Sequence, residues 1–133
     1  LSLVAATQPI LAGEQDVHLF ALDVENGIGG SGADLLTGNA LDNSFTGGGG
    51  ADMIDGLGGV NIIVESRDVD FTLTNALLND GTDTDTLANI QQAILTGGAS
   101  NNTLNAAAFT GSATLIGGVG ARWWTPLADW GPA

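Results

Sequence analysis

The stretch GGSGADLLTGNALDNSFTGGGGADMIDGLGGVNIIV, Gly29 to Val64, divides without remainder into four rows of nine: GGSGADLLT, GNALDNSFT, GGGGADMID and GLGGVNIIV. The sixth column holds Asp34, Asn43, Asp52 and Asn61, and the eighth holds Leu36, Phe45, Ile54 and Ile63. Two columns of different chemistry keep one period. A disordered glycine-rich linker has no reason to hold its apolar residues in phase with its acidic ones.

Each row reads as a turn followed by a strand. Glycines at the head of a row allow tight turns with positive φ, and the apolar eighth residue lies in a short run suited to a strand. A strand of that length cannot bury its apolar side alone, so successive rows must stack, and a period kept without slippage is the mark of a solenoid. Two rows make one coil. The fold class expected is all-β: a parallel β-roll or β-helix, that is, a right-handed β-solenoid with irregular coils.

Rows one and three, GGSGADLLT and GGGGADMID, resemble the calcium-binding nonapeptide GGxGxDxUx of RTX (hemolysin-type) proteins of secreted or surface bacterial type. Row two lacks most of the glycines, and row four carries Asn61 in the aspartate column. The resemblance implies Ca2+ as the bound ion. Turns on one edge, one coil apart, are separated by the strand spacing of roughly 4.7 to 4.9 Å. A calcium ion midway between them would find oxygens at its preferred distance of about 2.3 to 2.6 Å. Asp34 and Asp52 are the expected carboxylate ligands, and the carbonyls near Gly30, Gly32, Gly48 and Gly50 complete the shell. On the opposite edge Asp42, Asn43 and Asn61 offer a poorer half-site with less charge, expected to be weak or empty.

Composition points the same way. The 133 residues include 21 glycines and few aromatics, with no helical periodicity of any length. The formal net charge is -13, and the only basic side chains are Arg67 and Arg122. Such a surface repels nucleic acid and anionic membranes, and a compact state repels itself unless cations bind. Cysteine is absent, which excludes disulfides and thiolate metal sites. No stretch reaches the length of a membrane-spanning helix. The chain starts at Leu1 with no charged leader, as expected of a processed chain or a piece of a longer one.

Outward from the rows, residues 1–26 read as N-terminal strands or a cap, 27–64 as the regular nonapeptide roll, 65–120 as irregular coils and 121–133 as a Trp-rich cap or docking segment. VHLFALDVE, Val17 to Glu25, alternates like a strand, and its histidine, His18, has no catalytic partner nearby. GIGGSG, Gly27 to Gly32, matches the dinucleotide fingerprint formally, but no helical stripe follows to hold a pyrophosphate. Arg67, between Glu65 and Asp68, reads as an ordinary surface ion pair, and NDGTDTDT, Asn79 to Thr86, as a turn. GGASNNTLN and GGVGARWWT, starting at Gly97 and Gly117, repeat the nonapeptide with Asn102 and Arg122 in the aspartate column. This second block should keep the coil and lose the ion.

The function expected is an extracellular, calcium-binding structural solenoid, part of a secreted or cell-surface protein, and the resemblance to RTX proteins implies that it folds where calcium is plentiful. No HExxH, nucleophile elbow or triad set suggests an enzyme. Two other readings stand beside it. One is a self-assembling fibre or surface-layer subunit, joined head to tail through the apolar N-terminal segment and Trp123, Trp124 and Trp130. The other is the noncatalytic repeat region of a larger secreted enzyme.

Overall fold

The computed structural model describes residues 26–118 and, for backbone pairing alone, Thr7–Gln8, Val17–Leu19 and Arg122–Trp124. The strands are β1 (Thr7–Gln8), β2 (Val17–Leu19), β3 (Asn26–Ile28), β4 (Leu35–Asn39), β5 (Ser44–Thr46), β6 (Met53–Leu57) and β7 (Ile62–Ser66). They continue with β8 (Phe71–Thr74), β9 (Leu77–Asn79), β10 (Thr84–Ala88), β11 (Gln92–Thr96), β12 (Thr103–Ala108), β13 (Ser112–Ile116) and β14 (Arg122–Trp124). The protein is all-β, and no helix occurs among the described residues, so none there could cross a membrane.

Two sheets form, in the orders β1-β3-β5-β7-β11-β13 and β14-β12-β8-β9-β10-β6-β4-β2. Consecutive strands from β1 to β7 go to alternate sheets, and each of β1 to β5 pairs in parallel with the strand two ahead. From β2 to β7 the register is fixed by the repeat: Val17 lies opposite Leu35, Leu35 opposite Met53, Asn26 opposite Ser44 and Ser44 opposite Ile62. Each of those steps is 18 residues, twice the nonapeptide.

The period decides which side chains are inside. Side chains alternate across a strand, so the sixth and eighth residues of a row share a face. Leu36, Phe45, Ile54 and Ile63 are fully buried, as are Asp34, Asn43, Asp52 and Asn61. The eighth-column residues join Phe71, Leu73, Leu78, Leu87, Leu95, Leu104 and Phe109 in a single core between the sheets.

After β7 the winding changes. The chain runs β8, β9, β10 within one sheet, and both β8 against β9 and β9 against β10 are antiparallel. This meander adds two strands to one sheet with no counterpart in the other, where β7 pairs directly with β11. The turn expected in NDGTDTDT lies at its second bend: Gly81 has φ of +88°, and the Asp80 carboxylate accepts the N–H groups of Thr82 and Asp83 at 2.9 and 2.7 Å.

Parallel alternation then resumes. β11 pairs with β7 and β13, and β12 with β8 and β14. Asn102 and Leu104 are buried as their columns require. Arg122 departs from its expected column. It pairs with Thr103, the seventh residue of its row, one position off the register that the nonapeptide columns predict. Arg122 therefore opens β14. The N-terminal segment and most of the Trp-rich end, including Trp130, lie outside the described residues, as do the side chains of His18, Trp123 and Trp124.

Candidate functional site

The glycine turns before β4 and β6 lie one over the other. Gly49 N–H donates to the Gly30 carbonyl at 3.1 Å. Gly48 and Gly50 have φ near +87° and +89°, and a Cβ on either would strike the carbonyl oxygen of Gly30 or Gly32 below. Both the backbone conformation and the close approach therefore require glycine here. The four positions expected to offer carbonyl oxygens are the ones where the two turns meet.

Asp34 and Asp52 are both 2% exposed beneath these turns. The Asp34 carboxylate accepts Gly30 N–H through Oδ2 at 2.8 Å, and Asp52 Oδ1 accepts Asp34 N–H at 2.9 Å. Their remaining oxygens, Asp34 Oδ1 and Asp52 Oδ2, are buried and have no hydrogen-bond partner. A buried carboxylate oxygen without a partner carries a desolvation cost that only a proton or a cation relieves.

The column continues beyond the second turn. Asp52 N–H donates to Asp85 Oδ1 at 2.9 Å, the contact that joins Asp34 to Asp52. Glu65, 1% exposed, accepts Gly47 and Gly48 N–H through Oε1 at 2.6 and 3.1 Å. Burial is the chief reason the Asp52 carboxyl is pushed up to about 8; the charges of Asp85, Asp34 and Glu65 add to it, against the hydrogen bond from Asp34. Burial likewise raises Glu65 to about 7 and Asp85 to about 6.

The opposite edge is built from amides. Asn43 N–H donates to Asn61 Oδ1 at 2.8 Å, and Asn61 N–H to Gln91 Oε1 at 2.7 Å. Asn43 Oδ1 accepts Asn39 N–H, while Asn61 Nδ2 donates to the carbonyls of Gly58 and Asn89 at 3.0 and 2.8 Å. Asp42 stands apart from the buried pair: it is exposed, and its Oδ1 accepts Val60 N–H at 2.7 Å. Of the expected site residues, Asp34, Asp52 and the glycines come together, whereas Asp42 does not join Asn43 and Asn61.

Three residues of these columns escape the nonapeptide pattern. Asp85 continues the acidic column and Gln91 the amide column, although neither sits in a glycine row. A shorter signal marks them: a carboxylate or amide, any residue, then an apolar one, as in Asp34-Leu35-Leu36, Asp85-Thr86-Leu87 and Gln91-Gln92-Ala93. Glu65 takes its place by register, since it lies 18 residues after Gly47. Arg67 forms the expected ion pairing, but half-buried: its Nε is 3.8 Å from Glu65 Oε2, and a second partner lies farther along the chain. Arg67 Nη2 is 2.7 Å from Asp80 Oδ2, and Asp68 instead accepts Ser100 N–H and Oγ–H at 3.0 and 2.8 Å.

In the second block Asn102 Oδ1 accepts Gly98 N–H at 2.6 Å, doing with an amide what Asp34 does for Gly30. Among the described residues no three acidic or histidine side chains converge into a metal cage of side chains alone, so a cation held by Asp34 and Asp52 would draw on backbone carbonyls. No protein-family model, no curated protein and no solved structure matches the chain.

Proposed function

We propose that the chain is a calcium-binding structural β-solenoid of an extracellular protein, with no catalytic role. The observation that carries this reading is the pair of partnerless buried oxygens, Asp34 Oδ1 and Asp52 Oδ2, beneath two glycine turns in contact. The alternate winding of β1 to β7 at a step of two nonapeptides supports the solenoid, and the resemblance of rows one and three to RTX repeats supports calcium.

The donor set suits the ion. Hard oxygen ligands, two of them carboxylates and the rest carbonyls, are what calcium prefers over softer metals. Asp34 and Asp52 would hold it, with the carbonyls of Gly30, Gly32, Gly48 and Gly50. A bound ion supplies positive charge where the chain has gathered negative charge and excluded water. The acidic edge binds it only when the two turns are stacked, so calcium favours the folded state in proportion to how far its concentration exceeds the dissociation constant.

A calcium titration of the chain followed by far-ultraviolet circular dichroism tests this. Gain of β signal or thermal stability with calcium, lost in Asp34→Ala and Asp52→Ala, is the expected result. A chain equally β-rich and equally stable in chelator and in millimolar calcium would sink the reading.

A further inference from the structure

A column residue ordinarily holds its own turn. A Cβ on Gly29, Gly38, Gly47 or Gly97 would strike a side-chain oxygen of the residue five positions on, Asp34, Asn43, Asp52 or Asn102. In three of these rows that oxygen accepts the N–H of the residue after the glycine: Gly30 at 2.8 Å, Asn39 at 3.0 Å and Gly98 at 2.6 Å. The row of Asp52 is the exception. Its Oδ2 stands in the same place, buried and without a partner, while Gly48 N–H donates to Glu65 Oε1 at 3.1 Å. Gly47 N–H donates to that Glu65 oxygen too, at 2.6 Å. Glu65 is 1% exposed and is held from its other side by Arg67, whose Nε lies 3.8 Å from Oε2 and whose Nη2 lies 2.7 Å from Asp80 in the meander.

We propose that Glu65 is a positioning residue for the calcium site: it takes the turn N–H that Asp52 would otherwise hold, and so leaves Asp52 Oδ2 to the ion. The inference rests on the calcium reading of Asp34 and Asp52 and extends it to how the second carboxylate is set free. The amide edge shows what the same release does to a side chain that can donate. There Leu57 N–H goes to Asp55 Oδ1 at 3.0 Å, and Asn61, relieved of it, turns Nδ2 to the carbonyls of Gly58 and Asn89. An ionised carboxylate has only acceptors, so the oxygen released on Asp52 calls for a cation. Glu65 lies one level beyond turn 47–50 and Asp34 one level before it, so Glu65 acts through the turn and is no ligand. A buried carboxylate with a merely structural role would steady the turn too, but removing it would leave the calcium affinity of the folded chain unchanged.

Isothermal titration calorimetry of calcium onto the wild type, Glu65→Met and Glu65→Gln tests this, with circular dichroism on the same samples. Methionine fills the space without an acceptor, whereas the amide oxygen of glutamine accepts the same two N–H groups. Glu65→Met is expected to stay folded in chelator, with Asp52 taking back Gly48 N–H, and to bind calcium at least about tenfold more weakly. Glu65→Gln is expected to bind as the wild type does. A Glu65→Met chain that binds as tightly as the wild type, or that fails to fold in chelator, overturns the proposal, and so does a Glu65→Gln chain as weak as Glu65→Met. Amide hydrogen exchange in chelator separates the role of Glu65 from calcium binding itself. In Glu65→Met, Gly47 N–H should lose its protection and Gly48 N–H should keep it; loss at both overturns the proposal. No ion in the wild type defeats the calcium reading of Asp34 and Asp52, while the exchange pattern still decides whether Glu65 relieves Asp52 of the turn.

Discussion

The two edges of the repeat share one backbone plan and differ by one atom per rung. On one edge Asp34 accepts Gly30 N–H from its own turn, and Asp52 accepts Asp34 N–H from the level before. On the other Asn43 accepts Asn39 N–H from its own turn, and Asn61 accepts Asn43 N–H from the level before, at nearly the same distances. Where oxygen replaces nitrogen, the rung loses its donor. Asn61 spends its Nδ2 on two carbonyls, whereas Asp52 keeps an oxygen with no partner. An amide ladder is therefore complete as it stands, and a carboxylate ladder is complete only with a proton or a cation. Placing both in one chain makes one edge a permanent seam and the other a conditional one.

Titration should reach the conditional edge alone, and it has the largest expected effect. Asp52, Glu65 and Asp85 have folded pKa values of about 8, 7 and 6, above those of free carboxylates. Folding then takes up protons between the unfolded and folded values, so unfolding free energy falls as pH rises, by about 1.4 kcal/mol per pH unit for each proton taken up. In metal-free buffer the contribution of these three groups is greatest at about pH 4 and below, where they are protonated in both states, and declines from there through pH 5, 6, 7 and 8. Asp68 and Asp80 have lowered values and act only at more acidic pH. Thermal melts across this range check the sign, and a midpoint flat or rising with pH would break the contrast between the edges. Saturating calcium should flatten the decline.

The amide edge predicts the next effect. Asn61→Ala strips a fully buried rung, leaving Asn43 N–H and the carbonyls of Gly58 and Asn89 without their partners. Each such loss costs about 1 to 3 kcal/mol, so the variant should lose about 3 kcal/mol or more, equally in chelator and in calcium. Asp52→Asn should do the opposite in chelator. The amide keeps an oxygen for Asp34 N–H while the charge disappears, which at pH 7 should add about 2 kcal/mol and abolish the response to calcium. Denaturant melts with and without calcium measure both. If Asp52→Asn were destabilised in chelator, the carboxylate would not be strained by burial, and the edges would not differ as argued.

Much of this was legible in the sequence, for a physical reason. The period of nine fixes both the strand register and which residues face inward, so Leu36, Phe45, Ile54, Ile63 and the four column residues beside them could be placed from spacing alone. The meander β8–β10 could not. It breaks the period where the chain has no glycine rows, and DFTLT or TDTLA reads as a strand without saying which neighbour it meets. For that reason Asp85 looked like part of a turn. An ion pair for Arg67 could be expected from its neighbours, but not its closer partner Asp80, which is distant in sequence and is brought near only by the meander. The offset of Arg122 by one position was not legible either, because the glycines of that row match the repeat.

Asp42 gives the smallest effect and the sharpest division between two ways of reading an acidic residue. Taken with Asn43 and Asn61 it belongs to a half-site for calcium; by its hydrogen bond it is a cap on the next turn, exposed to water and joined to Val60 N–H at 2.7 Å. A cap on an exposed N–H is worth about 0.5 to 1 kcal/mol, and an exposed carboxylate that has already oriented one oxygen to the backbone gains little by adding a weak ion. Asp42→Ala should therefore lower stability by no more than about 1 kcal/mol and leave the number and affinity of bound calcium ions unchanged. Asp42→Asn should restore most of the loss, because its amide oxygen accepts the same N–H. Loss of a calcium ion in Asp42→Ala, not recovered in Asp42→Asn, would make the amide edge a metal site after all and remove the distinction between a permanent and a conditional seam.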